Sequence, residues 1–176
     1  MANDRHSEEI TRLHPADAAM AARISEFAAS EMFERAFKEG MALVEETAAY
    51  LDGPGRAESK RLSRQGALAY AGESMRLTTR LMQSASWLLV QRAVREGDMT
   101  ADEAQQEHYR LSGKRDMGDE PFGGEDELPE RLAGLIARAA RLYDRLRRLD
   151  ESIFGPSVKA NPVALHLDRL RAVFEI

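Results

Sequence analysis

The chain has 176 residues, of which 43% are hydrophobic, 31% charged and 6% aromatic, with a formal net charge of −5 and no cysteine. That length supports one sizeable core rather than two full domains. The absence of thiols excludes a disulfide framework, a thiolate metal site and a cysteine nucleophile, and fits a reducing cytoplasm. Charges interrupt the N-terminus at Asp4, Arg5, Glu8, Glu9 and Arg12, and the strongest apolar run, Trp87 to Val90, is far shorter than a bilayer span, so secretion and membrane insertion are not expected.

Abundant Ala, Leu, Glu and Arg favour helix over sheet, and the expected fold is all-α: a three-helix antiparallel bundle with a short extra helix, an acidic loop and a C-terminal amphipathic tail. Residues 1–25 are expected to be disordered. The first strong period follows, with Phe33, Phe37, Met41, Val44, Ala48 and Leu51 on one helical face. Ser30 is placed to cap that helix, with Glu31 and Glu34 near the positive end of its dipole. Gly53-Pro54-Gly55 then reads as a tight reversal, because proline lacks an amide hydrogen and glycine tolerates unusual backbone angles.

A second helix is predicted from about Glu58 to Glu96, roughly 60 Å long at 1.5 Å per residue, with Gly97 as its C-terminal stop. Leu62, Ala69, Leu77, Leu81, Ser84, Leu88 and Gln91 trace its core stripe, and Met75, Met82, Ala85 and Leu89 widen it. Gly66 and Gly72 read as close-approach points or weak points of that helix. Thr100-x-x-Glu103 has the capping-box pattern, predicting a short helix to about Leu111. Residues 112–127, rich in Gly, Asp and Glu, are expected to be a mobile loop. Leu132, Leu135, Ile136, Ala139, Leu142, Leu146, Leu149 and Ile153 define a third long helix, with Pro129 near its first turn and Gly155-Pro156 at its end. Beyond the bundle domain, 1–155, lies a tail, 156–176, in which Asn161-Pro162 introduces a short amphipathic face of Val163, Leu167, Leu170 and Phe174.

Charge is segregated along the chain: residues 1–55 carry −6, 56–95 carry +6, 96–130 carry −9, 131–150 carry +4 and 151–176 balance. Neighbouring helices of opposite sign can neutralise one another within the fold. The stripes Arg138, Arg141, Arg145, Arg148 and Arg76, Arg80, Arg92, Arg95 read first as solvated flanks or internal pairs, next as a surface for an acidic protein, and last as a nucleic-acid surface, since acidic segments lie close by. Met75, Leu81, Met82 and Trp87 read as core, with a flexible docking surface as the alternative.

No Walker A sequence, dinucleotide fingerprint or Gly-x-Ser-x-Gly elbow is present. His6, His14, His108 and His166 lie in separate segments, and Glu103, Glu107 and His108 read as a solvated turn rather than a metal site. Gly123-Gly124-Glu125-Asp126-Glu127 has the letters of a diguanylate cyclase loop without flanking strands, in an acidic setting that would repel a nucleotide. Neither catalysis nor a metal or other cofactor is expected.

Two stretches, Glu39-Gly-Met-Ala-Leu-Val-Glu-Glu-Thr-Ala-Ala-Tyr-Leu-Asp-Gly-Pro-Gly55 and Tyr70-Ala-Gly-Glu-Ser-Met-Arg-Leu-Thr-Thr-Arg-Leu-Met-Gln-Ser-Ala-Ser-Trp-Leu-Leu-Val-Gln-Arg92, resemble the regulator of CtrA degradation (RcdA) family of alphaproteobacteria, also catalogued as a family of unknown function. The resemblance implies a dimeric three-helix bundle that acts without catalysis as an adaptor in cell-cycle proteolysis. Such an adaptor would help deliver substrates such as CtrA to the ClpXP protease, together with a CpdR-like adaptor, in the cytoplasm and at the cell pole. The competing reading is a structural or regulatory helical dimerisation module with no protease role. Tyr50, Asp52, Arg76, Arg80, Gln83 and Gln91, which are polar or amphipathic positions of the family-like stretches, are the candidate partner-binding residues, together with Leu167, Leu170 and Phe174 of the tail.

Overall fold

The computed structural model describes residues 15–111 and 128–154. Among them there are six α-helices and one 3₁₀ turn, and no strand: α1 (Pro15–Ala28), α2 (Glu31–Asp52), α3 (Pro54–Ser59), α4 (Arg64–Glu96), α5 (Ala101–Ala104), the 3₁₀ turn Glu107–Tyr109, and α6 (Glu130–Phe154). The all-α class and the three long seams of α2, α4 and α6 hold. The acidic loop at 112–127, the tail at 156–176 and the three histidines His6, His14 and His166 lie outside the described residues.

Helix α1 corrects the expectation that the first 25 residues stand apart from the fold. It starts at a proline, which suits a first helical position, and its Ile24, Phe27 and Ala28, spaced three and one, are buried. Phe27 meets Phe33 edge-on at 5.7 Å and lies 5.8 Å from Trp87. Ser30 serves both sides of the joint. Its Oγ donates to the Phe27 carbonyl at 2.6 Å and accepts from the Phe33 amide at 3.2 Å, so one hydroxyl closes α1 and caps α2.

The Gly-Pro-Gly reversal becomes a helix of its own. Gly53 donates back to the Ala49 carbonyl at 3.1 Å, and Pro54 opens α3. Glu58 is therefore not the start of the long helix. Its carboxylate accepts from the Tyr50 hydroxyl at 2.7 Å, and α4 begins six residues later behind Ser63, whose Oγ accepts from the Gly66 amide at 2.9 Å. Gly66 thus sits in a capped first turn, not in the helix interior. The close approach expected of a glycine occurs instead at Gly55, where a Cβ would lie 2.5 Å from the Tyr70 hydroxyl and 2.8 Å from the Tyr50 carbonyl oxygen.

Gly97, at φ 82°, closes α4 in the left-handed region, donating to the Ala93 and Val94 carbonyls. The Thr100–Glu103 capping box is present in both directions, but α5 ends at Ala104 rather than near Leu111. The backbone leaves the helix, makes one 3₁₀ turn and becomes extended at Arg110, which delivers Leu111 into the core and the Arg110 guanidinium onto Asp150.

Helix directions follow from paired residues. Glu34 with Arg95, and Phe37 with Arg92, run α2 antiparallel to α4. Glu39 with Arg145, and Glu46 with Arg138, run α2 antiparallel to α6. Arg80 over the Tyr143 ring and Trp87 on Asp150 share one offset of the same sign, so α4 and α6 are parallel. The bundle is up, down, down, a correction to a uniformly antiparallel arrangement. Hydrophobic periodicity defines which face of a helix is buried but not its direction; Arg110 pairs with Asp150 near the C-terminal end of α6, whereas Leu128 precedes its first turn.

Candidate interaction surface

Among the described residues no three histidine, aspartate or glutamate side chains are grouped to hold a metal ion, and no helix is long and apolar enough to cross a membrane. Glu103, Glu107 and His108 are exposed, as a solvated turn requires; the Glu103 carboxylate is held below its ordinary pKa by the Thr100 backbone amide and then by the Thr100 hydroxyl. Asp150 is the buried carboxylate of α6. It accepts from the Trp87 indole at 2.9 Å and from Arg110 Nε at 3.0 Å and 3.2 Å, and Arg110 lies over the Phe154 ring. This constellation joins three segments through compensated charge.

The outer faces of α2 and α6 are charged and largely paired with each other or along the helix. Arg138 reaches Glu46 at 2.7 Å, Arg145 reaches Glu39, and Arg147 reaches Glu151 at 3.2 Å. Arg95 pairs with Glu34, whose carboxyl is held below its ordinary pKa first by that hydrogen bond. Half of the α6 basic stripe is thus internal pairing across helices, the first of the readings open to it; Arg141 and Arg148 remain exposed beside Leu149 along a shallow surface depression.

The sequence-derived partner residues do not form one surface. Tyr50 is fully buried and bonded to Glu58, Gln91 is fully buried, and Arg76 is buried in an ion pair with Glu73 at 3.1 Å. None of these three can meet a partner without opening the bundle, a correction to the expectation that they bind one: a polar residue in an amphipathic stretch need not face water. Asp52 is exposed and paired with Arg56, while Arg80 and Gln83 are half-buried. Leu167, Leu170 and Phe174 lie outside the described residues.

A different surface stands out, and it includes Met75 and Met82, for which a docking surface is the alternative sequence reading. Leu68, Met75, Met82 and Leu89 are 70%, 66%, 66% and 51% exposed, so the expectation that Met75, Met82 and Leu89 widen the core stripe fails, whereas Leu81 and Trp87 are core. They recur every seven residues, a spacing that keeps side chains on one side of a helix over six turns. Between Gln65 and Gln91 every exposed residue of α4 is uncharged: Gln65, Leu68, Ala71, Met75, Thr78, Met82, Ser86 and Leu89. The three charged residues of that span, Glu73, Arg76 and Arg80, turn inward or are half-buried. The signal was in the sequence as a seven-residue repeat of large apolar residues, offset from the true core stripe.

Fold and surface together define an all-helical bundle that buries its polar chemistry and presents one neutral, apolar-rich helix face. The family described as Protein of unknown function (DUF1465) matches residues 24–174, and the chain belongs to it. Among solved structures the chain is similar to RcdA from Caulobacter crescentus, with 54% identity, a TM-score of 0.63, and coverage of 76% of this chain and 99% of that one. It is a member of the RcdA family. No curated protein matches.

Proposed function

We propose that this chain is a non-enzymatic, protein-binding adaptor of regulated proteolysis, which helps deliver CtrA-type substrates to the ClpXP protease with a CpdR-like adaptor. The observation that carries the reading is 54% identity over nearly the whole of RcdA, a protein similar in sequence and fold. The architecture is compatible with it. A rigid bundle with a broad neutral face can hold one protein against another and raise local substrate concentration without altering a covalent bond. In this reading the protein is a cytoplasmic homodimer recruited to the cell pole, and the tail residues Leu167, Leu170 and Phe174 contribute to delivery.

The test is a reconstituted degradation assay containing ClpXP, a CpdR-like protein, a CtrA-type substrate and this chain. Degradation should accelerate when the chain is added, and immobilised chain should retain the CpdR-like protein. A truncation ending at Gly155 should keep its helix content and lose the acceleration. An unchanged degradation rate together with no retention overturns the proposal. The seven-residue apolar repeat on α4 favours a second reading, a dimerisation module without a protease role; it requires self-association with no effect on degradation in the same assay.

A further inference from the structure

We propose that one end of the bundle, where Lys60, Arg61 and Arg64 of the α3–α4 turn gather with Arg131 of α6, is a docking surface for an acidic segment of a protein partner. This rests on the protein-binding reading of the proposed function and assigns it a surface and a partner chemistry.

The helix directions bring these residues to the same end. Because α2 runs antiparallel to α6, the last turn of α2 lies beside the first turn of α6, and Tyr50 is met from both sides: its hydroxyl donates to Glu58 of α3 at 2.7 Å, and the Arg131 guanidinium lies over its ring, 5.3 Å from the centroid. Lys60 and Arg61 follow Glu58 by two and three residues, and Arg64 opens α4. The turn that carries them is held in place. The Arg61 amide donates to the Glu58 carbonyl at 3.0 Å, the Gly66 amide donates to Ser63 Oγ at 2.9 Å, and half-buried Leu62 packs against the core. The cations thus stand on a preorganised support, which reduces what a partner must order on binding.

Ion pairing separates this end from the other basic surfaces. Elsewhere Arg35 meets Glu31, Arg92 meets Glu96, Arg138 meets Glu46 and Arg147 meets Glu151. Lys60, Arg61, Arg64 and Arg131 are all exposed, and none meets a carboxylate among the described residues. The acidic groups nearby do not balance them: Asp52 is already paired with Arg56, Glu58 is half-buried under the Tyr50 hydroxyl, and Glu130 is exposed. Like charges this close repel one another and destabilise the turn that holds them, and an acidic partner relieves that repulsion. A short protein segment fits better than a nucleic acid. Duplex DNA carries a charge about every 1.7 Å and would run on from so compact a patch along a chain whose net charge is −5.

The experiment compares two double variants of equal charge change in the full-length chain, Lys60→Glu, Arg61→Glu and Arg141→Glu, Arg148→Glu, both with helix content checked by circular dichroism. The wild-type chain should bind a fluorescent oligoglutamate peptide with an affinity that falls as sodium chloride is raised. The first double variant should weaken that binding by on the order of tenfold or more and slow the reconstituted degradation assay, and the second should change both far less. Equal weakening by the two variants, or no peptide binding by the wild type, overturns the inference, as does tighter binding of duplex DNA that is lost in the first variant, which assigns the patch to nucleic acid. Degradation accelerated equally by the wild type and the first variant overturns the inference and leaves the adaptor standing. A wild-type chain that binds the peptide at this patch but neither accelerates degradation nor retains the CpdR-like protein overturns the adaptor and supports the surface.

Discussion

Helices α4 and α6 run side by side in the same direction, yet they distribute polarity in opposite ways. Helix α6 is amphipathic in the usual sense, with Leu132, Leu135, Leu142 and Leu146 inside, arginines outside, and Asp150 as its buried charge. Helix α4 buries Glu73, Arg76, Ser84 and Gln91 and exposes Leu68, Met75, Met82 and Leu89. Both form, because α4 still places Leu77, Leu81, Trp87 and Leu88 in the core and pairs Glu73 with Arg76. The difference teaches that burial fixes a helix in the bundle, while the polarity of what remains outside distinguishes a face that water covers from one that another surface covers.

The largest effect is expected at the buried charge of α6. Asp150→Ala leaves the Trp87 indole and the Arg110 guanidinium without their acceptor and should cost about 3–5 kcal/mol in a urea denaturation experiment; a loss below about 1 kcal/mol would mean that α6 tolerates buried polarity as loosely as α4. On the inner face of α4, neither Gln91 Oε1 nor Nε2 has a hydrogen-bond partner among the described residues. Gln91→Met keeps the shape, removes the desolvated amide and should stabilise the fold by about 1–2 kcal/mol, whereas a loss would show that the amide has a structural role on that face.

Near the start of α4 the contrast can be read through pH. Burial, and then the hydrogen bond to Glu58, push the Tyr50 phenol well above its ordinary value, and burial also raises Tyr70. A raised phenol leaves stability intact below the ordinary tyrosine pKa of about 10 and removes it as pH rises further, because the unfolded chain ionises first. Urea midpoints should therefore fall above about pH 10, and Tyr50→Phe should flatten that fall. The smallest effect belongs to the outer face. Met82→Ser should change the stability of the monomer by less than about 0.5 kcal/mol, and a loss of core size would show that Met82 supports the fold of a single chain.

Much of the fold was legible in the sequence. Ser30, Gly97, the Thr100–Glu103 box and the periods of α2 and α6 signal their structures through local chemistry, since caps and apolar stripes depend on residues within a few positions. Helix α1 was missed because its buried set is brief and gains its energy from Phe33 and Trp87, which are distant or on another helix. The direction of α6 was illegible because it depends on where a connection leads. The candidate site fared worse. Arg76 and Gln91 are polar residues of α4, which inverts polarity and burial, and Tyr50 is a buried residue of α2 whose hydroxyl is satisfied by Glu58; Met75, Met82 and Leu89 read as core and Leu68 goes unassigned because periodicity shows that residues share a face and only packing shows which face is inside.

The parallel course of α4 and α6 also orders events in time. Helices α2 and α4 are near neighbours in the chain and can zip together as soon as both have been synthesised, whereas α6, which follows much later in the chain, must close a longer loop to join them, an entropic delay that local pairing avoids. Until then the half-built molecule shows two oily surfaces, the permanent one on α4 and the temporary groove awaiting Leu135 and Leu142. A ribosome paused before residue 128 would thus hold out a sticky hairpin, and this protein should depend on chaperone protection during synthesis more than its modest length suggests.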